Sequence, residues 1–291
     1  MQSGARFCSL NEAYPALIQH VLASGHVTSP RGLGTTEIIG TYFTISDPRS
    51  RLLTSRIRKW SLPLALGELC WHLRGDDNIT SLAYYAKAWE QFTDDGTTVS
   101  GSCYGKKLFS KTASGLSVWD KLKSLLTNDP QTRRAAVSFL RDGDRIEDSR
   151  DISCVISIQF ILRNGYLDMF TNMRSNDLYL GLPYDVFVFS FLQELMCIEL
   201  GCRLGKYHHH AASLHIYDRH LASAKAIASE KPTSGGRMQR LTSRRQIEQL
   251  LATEASLRCN GSPDHEDLDD YNRPLARELE RYRKRLATSR T

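Results

Sequence analysis

Hydrophobic and polar positions along the chain predict a mixture of helices and strands that do not alternate regularly. Apolar residues at helical spacing mark residues 14–22, and a longer apolar segment over residues 62–73 predicts a buried helix. Residues 118–126 form another predicted helix, and residues 184–200, apolar nearly all round and followed by Gly201, predict a central buried helix. Strands are predicted over residues 38–45, 135–140, 155–162, 166–171 and 206–215. This order favours an α+β fold, with a mixed β-sheet packed by helices.

The chain changes character near residue 231. Residues 233–236 (Thr-Ser-Gly-Gly) predict a flexible break, and residues 261–270 are acidic. A basic helix follows, with an apolar stripe made of Leu275, Leu279, Tyr282 and Leu286. Because this stripe is short and narrow, we expect it to pack on the body of the protein or on a partner subunit rather than on a membrane.

Composition narrows the class of protein without naming a function. The 291 residues are 41% hydrophobic, and no apolar run approaches the ~20 residues of a membrane span. No charged-then-apolar leader opens the chain, so we expect a soluble cytoplasmic protein. Seven scattered cysteines without a Cys-x-x-Cys spacing fit a reducing compartment. The net charge of +6 comes without a basic–aromatic motif, so the expected partners are small phosphorylated anions rather than nucleic acid.

Most of the candidate catalytic and binding residues lie between Cys154 and Asp185. Cys154 follows a polar segment at the start of an apolar strand, a position that can present the thiol at a cleft. An anion-binding turn, Arg174-Ser175-Asn176-Asp177, comes next, and Gly181-Leu182-Pro183 precedes the polar Asp185. Nearby arginines lower the pKa of a thiol, and the thiolate is the nucleophile. The set therefore fits nucleophilic chemistry on a phosphorylated heterocycle.

These motifs resemble the thymidylate synthase family. Its nucleophile, phosphate, base and sugar motifs occur in order, as Cys154 with Gln159-Phe160, then Arg174-Ser175-Asn176-Asp177, Leu180-Gly181-Leu182-Pro183 and His215-Ile216-Tyr217. Its upstream segments resemble Arg31-Gly32-Leu33-Gly34-Thr35, Glu68-Leu69-Cys70-Trp71, Trp89 with Cys103-Tyr104-Gly105-Lys106, and Arg133-Arg134. The resemblance implies a thymidylate synthase-like catalytic domain over residues 1–231, with a divergent, basic and partly helical C-terminal extension over residues 232–291.

The resemblance also implies how a nucleotide phosphate is held. Guanidinium groups match phosphate oxygens in pairs, so arginines are suited to a 5′-phosphate. The implied set is Arg31, Arg133, Arg134 and Arg174, with the Ser175 hydroxyl as a further donor. In the family the arginine pair reaches the site of the partner subunit, which implies a homodimer.

The remaining implied roles concern the base, the sugar and the folate. The side chains expected to contact the nucleotide are Asn176, Asp177, Gly181, His215 and Tyr217, the last two lying on one face of a strand near the sugar. The side chains expected at the co-substrate, 5,10-methylenetetrahydrofolate, are Trp89, Tyr104 and Asp177. Glu68 would move protons through ordered water. No metal is expected, because strand alternation separates the middle ring of His208-His209-His210 from the other two.

Asp185 decides which base the site is expected to accept. Methylating members of the family are expected to carry asparagine there, whose amide accepts from uracil N3–H and donates to O4. Cytosine has the inverse pattern, and a carboxylate can accept from its amino group and pair with a protonated N3. Val155 stands where uracil-specific relatives carry a histidine. These two departures resemble the cytidylate hydroxymethylases, the cytosine branch of the family.

The expected reaction is hydroxymethylation at C5. The Cys154 thiolate adds to C6, C5 attacks the folate methylene, Glu68 assists loss of the C5 proton, and water captures an exocyclic methylene. The usual family tail is not recognisable, and Ser61 stands where methylating members offer a histidine to the folate, so we expect easier entry of water. The Arg-rich composition favours a bacterial secondary-metabolism role on CMP, as in nucleoside antibiotic biosynthesis, over a phage role on dCMP. Two alternatives remain: a thymidylate synthase that methylates dUMP, and an inactive relative that binds nucleotide or RNA.

Overall fold

The structure is a computed structural model that describes residues 4–140, 149–231, 235–263 and 265–288. Its helices are α1 (Leu10–Ser24), α2 (Leu62–Arg74), α3 (Thr80–Ala83), α4 (Tyr104–Phe109), α5 (Val118–Asn128), α6 (Leu182–Leu200), α7 (Leu221–Ala228), α8 (Arg244–Arg258) and α9 (Asn272–Thr288). Its strands are β1 (Ala5–Phe7), β2 (His26–Thr28), β3 (Thr35–Ile45), β4 (Ala136–Ser138), β5 (Val155–Arg163), β6 (Tyr166–Met173), β7 (Asn176–Asp177) and β8 (Arg203–Tyr217). The mixture of helices and strands confirms the predicted α+β class.

The chain divides into two compact units. One contains Met1–Trp60, Leu122–Arg141 and Ser153–Met238, and the other contains Ser61–Lys121, Asp142–Ile152 and Gln239–Thr291. All eight strands lie in the first unit with α1, α6 and α7, whereas α2, α3, α4, α8 and α9 lie in the second. The boundary expected at residue 231 describes where family-like sequence gives way to an extension, and it stays a prediction.

The strands form one mixed sheet whose main path runs β1-β3-β8-β6-β5-β4. The pairs β1–β3 and β6–β8 are parallel, and the pairs β3–β8, β5–β6 and β4–β5 are antiparallel. Helix α6 packs against β6 and β8, on the face where Tyr207, His209 and Ala211 are buried. The short strand β7 pairs with β8 and sets Asp177 beside His215. The sheet therefore places the predicted nucleotide-binding turn next to the predicted sugar-binding strand.

The central helix α6 agrees with its apolar pattern. It is buried on most sides from Leu182 to Cys197, and it ends at Gly201, whose φ of 64° is a left-handed conformation that favours glycine. The strand predicted over residues 38–45 begins earlier, at Thr35, because β2 pairs with residues 35–37 and turns part of the expected loop into a hairpin. Among the described residues, no helix combines the length and the apolar character needed to cross a membrane.

The C-terminal extension packs on α2 within the second unit. Helices α8 and α9 contact each other, and both contact α2. Leu275 and Leu279 of the apolar stripe are buried, and the Tyr282 hydroxyl donates to the Tyr85 carbonyl at 2.9 Å. The stripe therefore covers the body of the protein, one of the two surfaces expected for it.

A buried carboxylate on α8 binds the extension to α2. Glu254 is fully buried, and its Oε2 lies 2.5 Å from Nη2 of Arg74, in the last turn of α2. Its Oε1 accepts from Arg258 Nε and from the Tyr85 hydroxyl, each at 2.9 Å. Because a buried charge is costly unless it is paired, these three donors are needed to keep the carboxylate inside the protein.

Candidate active site

The first turn of α6 carries the residue on which the base prediction depends. Asp185 lies four residues beyond Gly181, which caps the start of the helix, and it is half-buried. Burial raises the pKa of the Asp185 carboxyl to about 7, while a hydrogen bond from Asn176 lowers this pKa and the charge of Asp177 raises it. A carboxyl group that titrates near neutrality can hold or release a proton under physiological conditions.

A chain of hydrogen bonds leads from Asp185 into the core. Asn176 Nδ2 donates to Asp185 Oδ2 at 2.7 Å, and Asn176 Oδ1 lies 3.0 Å from His209 Nε2. His209 Nδ1 in turn lies 3.0 Å from the Tyr207 hydroxyl. The sequence placed Asn176 among the nucleotide contacts and assigned nothing to His209. The structure shows that the side-chain amide of Asn176 is engaged by the protein on both sides.

Cys154 lies immediately before β5, as expected, and is half-buried. Arg174 spans the gap between β6 and β7: its backbone N–H donates to the Cys154 carbonyl at 2.8 Å, and its Nε donates to the Ser153 carbonyl at 2.9 Å. Arg174 Nη2 lies 4.0 Å from Cys154 Sγ. The register of β5 against β6 shifts between Val155 and Ser157, and such irregularities often redirect a side chain beside an active site. The guanidinium is placed to stabilise a thiolate.

The turn after β7 holds Asp177 and Gly181 in a fixed arrangement. Asp177 Oδ1 accepts the backbone N–H groups of Tyr179 and Leu180, each at 2.9 Å, and the Gly181 N–H donates to the Asp177 carbonyl at 2.9 Å. A Cβ at Gly181 would lie 3.4 Å from Asp185 Oδ2. Glycine therefore keeps the approach to the Asp185 carboxyl open.

The predicted sugar residues lie at the end of β8. His215 is buried and its ring contacts Tyr217 edge-on, with centroids 5.1 Å apart. Burial lowers the pKa of His215, the charge of Asp177 raises it, and the charge of Arg31 lowers it. Asp177 is the register partner of His215 across β7 and β8. His215 Nδ1 is buried without a hydrogen-bond partner among the described residues, and a sugar hydroxyl would supply one.

The loop that carries Arg31 is held against the same end of β8. Arg31 is exposed, with a left-handed φ of 54°. The Asp218 N–H donates to the Gly34 carbonyl at 3.0 Å, and a Cβ at Gly34 would lie 2.0 Å from Asp218 Oδ2. A side chain at position 34 would therefore displace the Asp218 carboxylate. The expected phosphate loop and sugar strand are therefore brought together.

Arg133 and Arg134 are exposed and precede β4, the edge strand of the sheet. The Arg133 carbonyl accepts from Gln159 Nε2 at 2.8 Å, which ties this segment to β5. Ser175 is half-buried between Arg174 and β7. The exposure of the arginine pair fits side chains offered to a partner subunit, and that role stays a prediction.

The expected proton-transfer residue, Glu68, and two of the three expected folate residues, Trp89 and Tyr104, belong to the other unit, whereas Asp177 lies in the first. Glu68 is half-buried on α2. Trp89 packs on Trp71 with ring centroids 6.1 Å apart, and Tyr104 is buried and stacks on His72 at 5.3 Å. Their roles toward the substrates stay predictions.

The three consecutive histidines of β8 separate as strand alternation requires. His208 bonds with the Tyr42 hydroxyl at 2.7 Å and with Asp168 Oδ2 at 3.1 Å, while His209 is buried on the opposite face of the sheet. Within the described part of the chain, no group of three or more His, Cys, Asp or Glu side chains is arranged to hold a metal ion.

Comparison with known proteins settles the relationship that the motifs suggested. A sequence model of the thymidylate synthase family matches residues 12–261. The chain belongs to the thymidylate synthase family. The thermostable thymidylate synthase A from Bacillus subtilis is similar in structure, with a TM-score of 0.65 and 22% sequence identity over 78% of this chain and 86% of that chain. At this identity the likeness shows the fold, a mixed sheet packed by helices.

Family membership fixes the general chemistry. Thymidylate synthases are one-carbon transferases that bind a pyrimidine nucleoside monophosphate and use methylenetetrahydrofolate as co-substrate. The family match extends to residue 261 and so includes α8, beyond the limit at residue 231 that the resemblance implied. The base, the sugar and the fate of the one-carbon unit are questions about this chain's own residues.

Proposed function

We propose that this protein hydroxymethylates C5 of a cytidine 5′-monophosphate, with CMP preferred to dCMP. One observation carries the choice of base: Asp185 is a half-buried carboxyl whose pKa is raised to about 7, at a position where methylating members are expected to carry asparagine. The preference for CMP rests on the Arg-rich composition of the chain. The remaining residues support the chemistry as follows.

A protonated carboxyl group complements cytosine. It offers an acceptor oxygen beside an O–H donor, and cytosine presents an amino donor at N4 beside an acceptor at N3. Asn176 donates to Oδ2 of Asp185, so Oδ2 is the acceptor oxygen and the proton resides on Oδ1. Uracil would set its O4 against the acceptor and its N3–H against the donor. Unpaired polar groups of this kind discriminate strongly between ligands.

Proton transfer from Asp185 would assist the first chemical step. Attack by Cys154 Sγ forms the Sγ–C6 bond and moves an electron pair toward C5, which makes N3 more basic. The carboxyl can then give its proton to N3, so Asp185 stabilises the adduct more than the bound nucleotide. Arg174, with Nη2 4.0 Å from Sγ, favours the thiolate that begins the sequence.

The nucleotide phosphate and sugar fit the cluster at the end of β8. Arg31 and Arg174 supply guanidinium groups for the 5′-phosphate, and we propose that Arg133 and Arg134 of a second subunit complete the set. His215 Nδ1, a buried atom that lacks a protein partner among the described residues, can bond to a sugar hydroxyl beside the Tyr217 phenol.

The folate residues are suited to a flat ring with N–H donors. Both backbone bonds to Asp177 described above fall on Oδ1, which leaves Oδ2 to accept from a ligand N–H, and Trp89 is a half-buried aromatic surface. The Tyr104 ring already stacks on His72. Tyr104 would therefore contact the folate through its hydroxyl. Bound methylenetetrahydrofolate would supply one carbon, and water would supply the hydroxyl oxygen. Glu68 would take the C5 proton before Sγ leaves C6.

Product analysis by mass spectrometry tests this proposal. We would incubate the protein with methylenetetrahydrofolate and an equimolar mixture of CMP, dCMP, UMP and dUMP. The expected result is a gain of one CH2O unit on a cytidine nucleotide, with tetrahydrofolate released and CMP consumed before dCMP. A gain of one CH2 unit on dUMP, with dihydrofolate formed, would instead identify a thymidylate synthase. Nucleotide or RNA binding without any product would favour an inactive relative.

The raised pKa of Asp185 predicts a pH dependence of binding. The carboxyl is mostly protonated below pH 7 and loses its donor above that value, so cytidylate should bind more weakly as pH rises through about 7. In a Cys154→Ala background, which removes the nucleophile, we expect the CMP dissociation constant to rise about tenfold per pH unit above 7. Isothermal titration calorimetry from pH 6.5 to 8.5 measures it.

The matched control for this titration is Cys154→Ala combined with Asp185→Asn. An asparagine does not titrate, so its profile should be flat above pH 7, where the nucleotide phosphate is already ionised. An equally steep loss of affinity in the double variant would assign the titration to another group. Constant affinity in the single variant would contradict the role of the protonated carboxyl.

A further inference from the structure

Two cysteines lie at the C-terminal end of α6. Cys197 is in the last turn of the helix, and Cys202 is the second residue beyond it. Both carry thiol groups, and Cys197 is buried whereas Cys202 is half-buried. The chemistry proposed for the active site uses neither of them. Their position at the junction of α6 and β8 therefore calls for a separate explanation.

The backbone between these cysteines forms a Schellman motif. The Cys202 N–H donates to the Cys197 carbonyl at 3.0 Å, and the Gly201 N–H donates to the Ile198 carbonyl at 3.2 Å. Gly201 has the left-handed φ of 64° that this motif requires. The residues at the two ends of the longer hydrogen-bonded turn commonly bring their side chains into contact. Here those two residues are Cys197 and Cys202.

The two thiols contact each other. A hydrogen bond from Cys197 lowers the pKa of Cys202, although burial raises it. Cys197 Sγ also lies 3.7 Å from the Arg203 carbonyl oxygen, so the side chain points beyond the helix end toward β8. A partly exposed thiol with a lowered pKa is the more reactive member of such a pair. Cys202 is therefore suited to attack an oxidant, and Cys197 to react second.

The segment after Cys202 is held in place independently of the thiols. The Arg203 N–H donates to the Gly165 carbonyl at 2.8 Å, and Arg203 Nη2 donates to the Asn164 carbonyl at 3.0 Å. The Arg203 guanidinium also lies 4.0 Å from the centre of the Tyr166 ring. The start of β8 is thereby fixed beside the end of α6. A bond between the thiols needs little backbone movement, which is the geometric condition for a disulfide.

We propose that Cys197 and Cys202 form a dithiol site that low-molecular-weight disulfides, such as glutathione disulfide, oxidise reversibly. The Cys202 thiolate attacks one sulfur of glutathione disulfide, which forms a mixed disulfide and releases one glutathione thiolate. Cys197 then loses its proton and attacks the Cys202 sulfur, which forms the Cys197–Cys202 bond and releases the second glutathione thiolate. The protein gives up two electrons and two protons, and the oxidant becomes two glutathione thiols. A dithiol reductant reverses both steps.

The bond would join the end of α6 to the start of β8 at a distance from the active site. Asp185 lies in the first turn of this 19-residue helix, about 20 Å along its axis from the cysteine pair. Thiol pairs of reducing compartments that do form disulfides are usually catalytic or redox-sensing. The inference goes beyond the proposed function and holds whichever base the enzyme accepts.

Peptide mapping tests the site. Trypsin cleaves after Arg174 and Arg203 and releases residues 175–203, which contain Cys197 and Cys202 and no other cysteine. We would incubate the folded protein with excess glutathione disulfide, block the remaining thiols with iodoacetamide and measure the mass of this peptide. The expected peptide carries no alkyl group and is lighter than the reduced peptide by two hydrogen atoms. Treatment with dithiothreitol before alkylation should restore the doubly alkylated peptide.

Two variants separate the roles of the thiols. Cys197→Ala lacks the second thiol, so the mixed disulfide of Cys202 with glutathione should accumulate. In Cys202→Ala the buried Cys197 should remain a thiol under the same conditions. Cys259→Ala is the matched control, because Cys259 is exposed and lies in the second unit, and the disulfide should form as in the parent protein. Should Cys197→Ala fail to fold, the parent protein and Cys202→Ala decide the matter.

The melting temperature shows whether the native fold accommodates the bond. Since a disulfide constrains the unfolded chain, oxidation should raise the melting temperature of the parent protein by about 2 °C or more, relative to Cys202→Ala treated identically. A peptide that stayed doubly alkylated, or that carried only glutathione, would overturn the inference. A disulfide that left the melting temperature unchanged or lowered it would also contradict a site prepared by the fold. Failure of the proposed function would appear separately, as the absence of a hydroxymethylated cytidine nucleotide.

Discussion

Cys154→Ala should lower turnover of cytidylate by at least about 10⁴-fold, because removal of a covalent nucleophile leaves only binding and electrostatic contributions to catalysis. The nucleotide should still bind, since the proposed contacts to phosphate, sugar and base involve Arg174, His215 and Asp185. Steady-state kinetics and calorimetry measure the two effects separately. The expected signature is a collapse of kcat with a nearly unchanged dissociation constant for CMP.

Cys259→Ala is the matched control for this variant. Cys259 is exposed and lies in the second unit, so its removal should leave kcat unchanged. If Cys154→Ala retained normal turnover, Cys154 would be excluded from the mechanism and the whole adduct chemistry with it. A variant that lost both turnover and nucleotide binding would instead indicate damage to the turn that Arg174 forms with the Cys154 carbonyl.

Apolar periodicity predicted the helices α1, α2, α5, α6 and α9 and the long strands, but it predicted no helix at α7 or α8. Errors in the strand boundaries have local physical causes. The last long strand was predicted over residues 206–215 but begins at Arg203. Glycine is unfavourable in strands, so Gly205 was excluded from the predicted strand. A Cβ at this position would lie 2.0 Å from Asp168 Oδ1. That oxygen accepts the Lys206 N–H at 2.8 Å. Glycine is present because a carboxylate approaches the backbone closely. From a single sequence, a glycine required by such a close contact cannot be distinguished from a glycine that ends a strand.

The candidate site could be predicted as a set of residue types but not as a network. The anion-binding turn and the histidine–tyrosine pair were evident, and the pairing of β7 with β8 brings Asp177 beside His215. The bonds among Asp185, Asn176 and His209 depend on that same long-range pairing. No local sequence pattern predicts which face of β8 meets which side chain of β7. The hydrogen bonds from Asp185 through Asn176 to His209 therefore could not be predicted from residue spacing.

The C-terminal extension shows the same limit. Its apolar stripe predicted a packed helix, and α9 does pack within the second unit. Glu254 pairs the extension with α2, but in the sequence it is one of several charged residues on a polar helix. Its burial with Arg74 and Arg258 becomes apparent only when α8 lies against α2. Charged residues that pair across distant segments carry no signature in composition.

Asp185→Asn should reverse the base preference of the enzyme. An asparagine at this position can accept from uracil N3–H and donate to O4, whereas cytosine would face one mismatched pair of donors or acceptors. We expect the ratio of kcat/KM for cytidine over uridine nucleotides to change by about 10²–10⁴-fold, the range seen when a buried polar partner is lost. Competition between CMP and UMP, with both products quantified by mass spectrometry, measures this ratio directly.

Stability as a function of pH shows whether the variant acts through the carboxyl group. The folded pKa of Asp185 lies above the ordinary value of an aspartate, so ionisation disfavours the folded protein and its stability falls between about pH 4 and pH 7. Asp185→Asn lacks this penalty, and its melting temperature should exceed that of the parent protein by a margin that grows from about pH 4 to pH 7 and then levels off. A reversed base preference with that growing margin would locate both effects on one buried carboxyl. A folded variant that kept its preference for cytidylate would remove Asp185 from base recognition.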